Sequence, residues 1–334
     1  MAEAPLAHAP RETIEAFVRE AARAPSAHNV QPARWRFEPG GDVVLFRALD
    51  RTLPVSDPTG HDIQASLGAA FEGMAIALSR LAFTLRAPVP EHAAQAEGCE
   101  PVVRARIVGS AKLDPLAHAV MKRRCYRGSF TRRGARELAA ARTVEAADVH
   151  VLDDQLDIRL ASKSHDDATW RFESRRDYHA ELWKWLRLSR HDPRYRRDGL
   201  NADCLALSST QRVAARVLLR PSVFSQLTRL RVARPLISEA AQVRSAIALV
   251  LFMPRRTDSP FEVGRRFYRL WLELTAAGLY AAPMSASADD TKTRARYEVH
   301  VTSDRRLANV LRVGHAPEGL VAESHRLPTA ELLV

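Results

Sequence analysis

The chain has 334 residues, of which 46% are hydrophobic and 27% charged, enough to bury one large core or two smaller ones and too apolar for a disordered or fibrous protein. No apolar run approaches the roughly 18 residues of a membrane span, and Met1 to Pro10 has no basic region followed by an apolar one, so a cytoplasmic protein with no membrane partner is expected. The formal net charge of +11 comes from arginines scattered among acidic residues, with lysine only at Lys112, Lys122, Lys163, Lys184 and Lys292, so no nucleic-acid partner is expected.

Thr13 to Ala24 predicts an amphipathic helix with Ile14, Phe17, Val18 and Ala21 on its apolar face. Pro25 ends it, and Pro25-Ser26-Ala27-His28-Asn29-Val30-Gln31-Pro32 is a turn crowded with hydrogen-bonding groups. Short strands are predicted at Trp35 to Phe37 and Val43 to Phe46, joined at Gly40-Gly41, and again at Val102 to Val108, His150 to Leu152 and Ala246 to Phe252. Helices are predicted over Asp62 to Leu81, Pro115 to Lys122, Leu156 to Leu188, Thr210 to Leu219, Phe261 to Ala277 and Asp304 to Leu311. Between about Arg190 and Pro235 the chain is rich in Arg, Pro and Leu and poor in strand signal: an insertion over a site, or an extra helical layer. Strands mixed with long helices, without strict alternation, give an α+β class.

An internal repeat lays Gly68, Phe71, Met74, Ile76 and Leu78 on Gly264, Phe267, Leu270, Leu272 and Leu274 at constant offset. Both copies lead into apolar stretches, Leu81-Ala82-Phe83 and Ala277-Gly278-Leu279, that could enter strands. Each half would then own one copy of the same central helix.

No dinucleotide-binding, P-loop, hydrolase-elbow or zinc-protease motif occurs. His165, His179 and His191 lack partners at ligand spacing, and Cys99, Cys125 and Cys204 lie far apart, so reduced thiols and no metal are expected. In Lys122-Arg123-Arg124-Cys125-Tyr126-Arg127, guanidinium groups could converge on a phosphate, although a solvated helix end explains the same run. Gly278 ahead of Pro283-Met284-Ser285 would let backbone approach a planar ligand, and a helix C-cap explains it equally well.

Together these stretches resemble the nitroreductase superfamily. Ser-x-x-Asn-x-Gln-Pro resembles its flavin-edge loop, Arg123, Cys125 and Arg127 its arginine element, Gly278 to Ser285 the segment that passes the flavin, and Arg326 its late basic residue. The order, with the loop near the N-terminus and the arginine element near residue 121, is similar to the Acg-type FMN-binding branch, a fused, dimer-like arrangement. Ala33-Arg34 before Trp35 departs from the family, which has an aromatic residue directly after Gln-Pro.

The resemblance implies a nitroreductase-like α+β fold with two protomer-like halves, 1–114 and 115–334, the second carrying a helical insertion or lid near 155–235. It implies FMN held by Pro25, Ser26, Ala27, His28, Asn29, Gln31, Arg123, Arg124, Cys125, Arg127, Pro283, Met284, Ser285 and Arg326. Ser26 and Asn29 would meet the ring edge, and Arg123, Arg127 and Arg326 the phosphate. No catalytic side chain is implied, because N5 of the flavin carries the hydride. NAD(P)H would be the electron donor and a nitroaromatic or quinone-like small molecule the acceptor. The protein would be a monomer or loose homodimer, and a lid-covered flavin store with little turnover is the alternative.

Overall fold

A computed structural model describes residues 9–109, 112–131, 134–300, 302–319 and 325–334. Residues 1–8, within the stretch read above for a leader, lie outside these.

The chain opens with α1 (Arg11–Ala21), which buries Phe17, Val18 and Ala21. A hairpin of β1 (Ala33–Phe37) and β2 (Asp42–Ala48) turns at Gly40 and Gly41, where Gly41 takes the left-handed φ of 84°. Next come α2 (His61–Ser79), β3 (Phe83–Pro90) and β4 (Cys99–Gly109), and the four strands form an antiparallel sheet in the order β1-β2-β4-β3.

Short α3 (Ala117–Val120) and α4 (Ala135–Arg142) lead to β5 (Val149–Leu152), α5 (Gln155–Glu173) and α6 (Arg176–Trp185). The two-residue strands β6 (Leu186–Arg187) and β7 (Leu200–Asn201) pair in parallel, followed by α7 (Ser209–Leu218), α8 (Pro221–Arg229) and α9 (Ala240–Arg244). The last elements are β8 (Ala248–Phe252), α10 (Pro260–Ala276), β9 (Tyr280–Pro283), α11 (Ser285–Asp289), α12 (Thr291–Tyr297) and β10 (Asn309–Gly314). A second antiparallel sheet runs β5-β8-β10-β9. All five residues of β8 are buried because both faces are covered: Leu249 and Leu251 join one core, Ala248, Val250 and Phe252 the other. The fold is α+β, as expected.

The repeated helices α2 and α10 pack against each other, and the repeat is visible in their crossing. A Cβ on Gly68 would lie 1.9 Å from the carbonyl oxygen of Phe261, and one on Gly264 would lie 1.8 Å from that of Ala65. The two contacts are the same contact with the halves exchanged. Glycine is needed at both places because the obstacle is backbone, which no rotamer can move aside. Both helices also leave through a left-handed residue at the same repeat position, Ala82 (φ 57°) and Gly278 (φ 81°), and then enter β3 and β9. Glu72 of α2 ties the pair by accepting from Arg265 and Arg269 at 2.9 Å each.

Two expectations fail. The helix expected over Asp304 to Leu311 is a turn followed by β10, because Asn309 to Val313 pair with β8 and the run's apolar residues fit a buried strand. The single helix expected over Leu156 to Leu188 breaks where Arg175 turns extended (ψ 128°), and it ends at Trp185.

Candidate functional site

Pro25 forces the chain out of α1 into a 3-10 turn, Ala27–Asn29. Three non-glycine residues there are left-handed: His28 (φ 46°), Asn29 (φ 56°) and Gln31 (φ 53°). Such a conformation is costly for L-residues and persists only where its surroundings over-determine it. They do here. The Ser66 hydroxyl accepts from the Ala27 N–H at 3.2 Å and the Ser26 hydroxyl from the Gln31 N–H at 3.1 Å. The Asn29 amide donates to the carbonyls of Gly199 and His325 at 3.1 Å each and accepts from Arg326 at 3.1 Å. Gln31 donates to the Arg197 carbonyl at 2.8 Å and accepts from the Leu327 N–H at 2.8 Å. The amides of Asn29 and Gln31 therefore bind the loop to residues 197–199 and 325–327.

Cations converge where α1 ends. Arg326 donates to the carbonyls of Ala22, Arg23 and Ala24, and Arg123 donates to that of Arg23 at 2.6 Å. The Arg123 guanidinium lies 4.7 Å from the ring centre of Trp271 and 5.8 Å from that of Tyr268, both on α10. Burial, then Arg123 and Arg23, hold the Arg326 guanidinium well below its ordinary pKa, and burial lowers that of Arg123. Arg123 makes no ion pair among the described residues, and its buried Nε finds no acceptor. A helix C-terminus carries about half a negative charge. Arg23, Arg123 and Arg124 lie close enough to Arg326 for their charges to act on it. A phosphate bearing nearly two negative charges could lie against Arg123, whose buried Nε has no acceptor among the described residues.

The same run also reaches the second sheet. Cys125 bridges Ala281 of β9, and the Tyr126 N–H donates to the Ala281 carbonyl at 3.2 Å. Pro283, Met284 and exposed Ser285 lie where β9 passes into α11, with the Met284 N–H on the Val310 carbonyl at 2.7 Å. The arginine run and the Gly278–Ser285 passage are thus neighbours. Arg124 closes its own turn on the carbonyls of Met121 and Arg123.

Arg127 stands apart from the Arg123–Arg326 pair. It lies 3.9 Å from Glu239, and its charge acts on His28. Burial, then Arg127, bring His28 down to about 4. Burial opposes the charge on Glu239, but His165 and Arg127 hold it down to about 2. Burial and the Glu239 charge push Glu173 up to about 8; burial and neighbouring aspartates push Asp289 up to about 7 and Asp62 up to about 6. None of these side chains is sealed: Arg127 is 21% and Glu239 31% exposed. The charges of these groups act on one another: Arg127 on His28, Glu173 and Glu239, and Glu173, Asp289 and Asp62 all on Tyr178.

The structure therefore brings together Pro25 to Gln31, Arg123 and Arg326 on one side, and Cys125, Arg127 and Pro283 to Ser285 on the other. Glu173, Glu239, Asp62 and Asp289 were not anticipated, since single carboxylates on separate elements leave no spacing to read. Of the lone histidines, His165 joins Ser287 (2.9 Å) to Glu239 (3.3 Å), and His179 stacks on Phe224 with 3.8 Å between ring centres.

No family model matches the sequence. Over 70 residues it is 40% identical to a Mycobacterium tuberculosis protein named "Putative NAD(P)H nitroreductase Rv3131", covering 21% of this chain and 20% of the relative. Over 182 residues it is 29% identical to "Putative NAD(P)H nitroreductase acg" of the same species, covering 52% and 54%. The match thus spans about a fifth of the first relative's length and about half of the second's. A Bacteroides fragilis nitroreductase solved with bound FMN superposes with a TM-score of 0.36 at 10% identity, over 64% of this chain and 95% of that one.

Proposed function

We infer that this chain, a relative of the Acg-type proteins of the nitroreductase superfamily, is an FMN-dependent NAD(P)H oxidoreductase. The observation that carries the reading is the placement of Arg123 beside Arg326 at the end of α1, with the buried Nε of Arg123 finding no acceptor among the described residues. In this reading the phosphate lies on Arg123 and Arg326, and the ring lies in a cleft between Ser26 to His28, Cys125 to Arg127 and Pro283 to Ser285. Bound there, FMN would supply the redox chemistry between NAD(P)H as electron donor and an electron-poor small molecule such as a nitroaromatic or quinone.

The protein's share is position and electrostatics. Arg123 and Arg326 bind and orient the anion. The strained turn at His28 and Asn29 presents backbone at a fixed place, and Arg127 keeps a positive charge beside the cleft while Glu239, pinned by His165, limits that charge. The halves 1–114 and 115–334 are read as an intramolecular pseudo-dimer with one flavin between them, acting as a monomer.

A specific contact favours a second reading, in which the flavin is held with little turnover. Residues 197–199 clasp the loop through Asn29 and Gln31, and Asp198 is locked by Arg51 at 2.6 Å and by fully buried Arg187 at 2.7 Å. Titration of the purified chain with FMN, followed by excess NADPH under argon, tests both. Tight binding with rapid bleaching supports the oxidoreductase, tight binding without bleaching the store, and no binding overturns the shared premise.

A further inference from the structure

Between Asp203 and Glu239 the chain has no acidic residue and six arginines: Arg212, Arg216, Arg220, Arg229, Arg231 and Arg234. This stretch forms the α7–α8 hairpin and the turn after it, and α7 has no buried residue at all. Its aliphatic side chains face outward: Val213 is 63% exposed, Val217 49%, Leu230 71%, Val232 53% and Leu236 40%. Scattered exposed apolar residues are ordinary, but five within 24 positions of one hairpin are not scatter. On α7, Val213 and Val217 form one ridge and Arg212 and Arg216 the adjacent one, since residues four apart stack on a helix, and Arg220 follows between α7 and α8.

The cations are available. Arg234 pairs with Asp167, and Arg212 lies 3.8 Å from Asp203. Arg216, Arg220, Arg229 and Arg231 make no ion pair among the described residues. Beside them an open groove is lined by Lys184, Arg194, Arg216 and Arg220, with Asp192 as the carboxylate in its lining.

We propose that the α7–α8 hairpin docks on an anionic phospholipid surface, its aliphatic ridge entering the headgroup boundary and its arginines meeting lipid phosphates. A basic face with aliphatic neighbours is the composition of an interfacial helix, and a bilayer accepts such a ridge without a matched groove. Nucleic acid would satisfy the arginines but offers nothing to the valines and leucines, and none of the exposed large apolar residues on the hairpin is aromatic. A second copy of the hairpin would set arginine against arginine. The chain lies on the membrane in this proposal; no helix among the described residues is long and apolar enough to cross one.

The test is co-sedimentation of the full chain with vesicles of phosphatidylcholine alone and with one quarter phosphatidylglycerol, at 0.05 and 0.5 M salt. Binding is expected only to the anionic vesicles and to be lost at high salt. The triple variant Arg216→Gln, Arg229→Gln, Arg231→Gln should weaken it about 100-fold, at roughly one order for each 1.4 kcal/mol. The separate variant Val213→Ser with Val217→Ser should weaken it with all charges kept. All these positions are exposed, and an unchanged melting temperature checks the fold of each variant. No vesicle binding, equal binding to both lipid compositions, or indifference to the valine variant would each overturn the proposal. So would light scattering that shows a dimer dissolved by the valine variant, or binding of an acidic polypeptide or RNA in preference to vesicles. None of these results depends on whether the cleft holds FMN.

Discussion

Arg123 separates a ligand site from a structural cap. A residue whose role is to cap α1 stabilises the ligand-free protein, so its loss would lower the melting temperature. A residue placed beside Arg326 to bind an anionic ligand does the opposite, because removing it relieves the like-charge repulsion that Arg123 exerts on Arg326. Arg123→Gln is therefore expected to leave the flavin-free protein as stable or more so, and to weaken FMN by roughly one to two orders of magnitude, the value of a charge-assisted contact of about 1.5–3 kcal/mol. A lower melting temperature with unchanged FMN affinity would reverse the assignment. A pH test belongs to Glu173. Its pKa is raised from 4.5 to about 8 by burial and the Glu239 charge. The folded state therefore binds this proton more tightly than the unfolded one, so its contribution is full below about 4.5 and is lost as pH rises toward 8. Glu173→Gln should raise the melting temperature at pH 8 and change it little at pH 4.5, which scanning calorimetry of the two proteins would measure. The residues read from the sequence were those with local grammar, Ser26 to Gln31 and Arg123 to Arg127. Glu173 and Glu239 were invisible because only the tertiary fold brings them together with Arg127, and the separation of Arg127 from Arg123 depends on which way each side chain turns from one short run.

At the scale of elements, the crossing of α2 and α10 makes the sharpest demand on sequence. Gly68→Ala and Gly264→Ala each place a methyl group within 2 Å of a carbonyl oxygen, so the helices must separate. Each substitution is expected to destabilise by about 1–3 kcal/mol, the usual cost of forcing extra volume between packed elements. Once one substitution has moved the axes apart, the second should cost less than the first, a sub-additive pair that chemical denaturation of the three variants would show. Gly109→Ala, where a Cβ meets nothing within 4 Å, is the control. The long helices were legible because their apolar spacing persists over several turns. β10 was not: Leu307, Val310 and Leu311 sit at helical spacing, and only the pairing of Asn309 to Val313 with β8 makes a strand there.

For the whole molecule, the proposed pseudo-dimer fixes a count. The arginine run occurs once and the Ser-x-x-Asn-x-Gln-Pro loop once, so the repeat cannot make two equal sites. At the positions equivalent to Tyr268 and Trp271, which flank Arg123, the other half has Glu72 and Ala75. Flavin titration with light scattering should give one FMN per chain and a monomer in detergent-free buffer; two tightly bound FMN would refute the arrangement. The repeat itself was readable as a constant offset between two helices. That the two copies meet face to face was not, since offset carries no information about contact.

The reciprocal glycine crossing has a consequence for how the two halves are free to differ. Each glycine is received by a carbonyl of the opposite helix, an atom present whatever residue stands there. The seam therefore asks for two empty positions and is indifferent to the identity of Ala65 and Phe261 as long as they stay helical. Around such a seam one helix can hold tyrosine and tryptophan for an arginine while its counterpart holds glutamate and alanine at the matching places. Symmetry is kept by backbone atoms, and side chains are left to divide the labour.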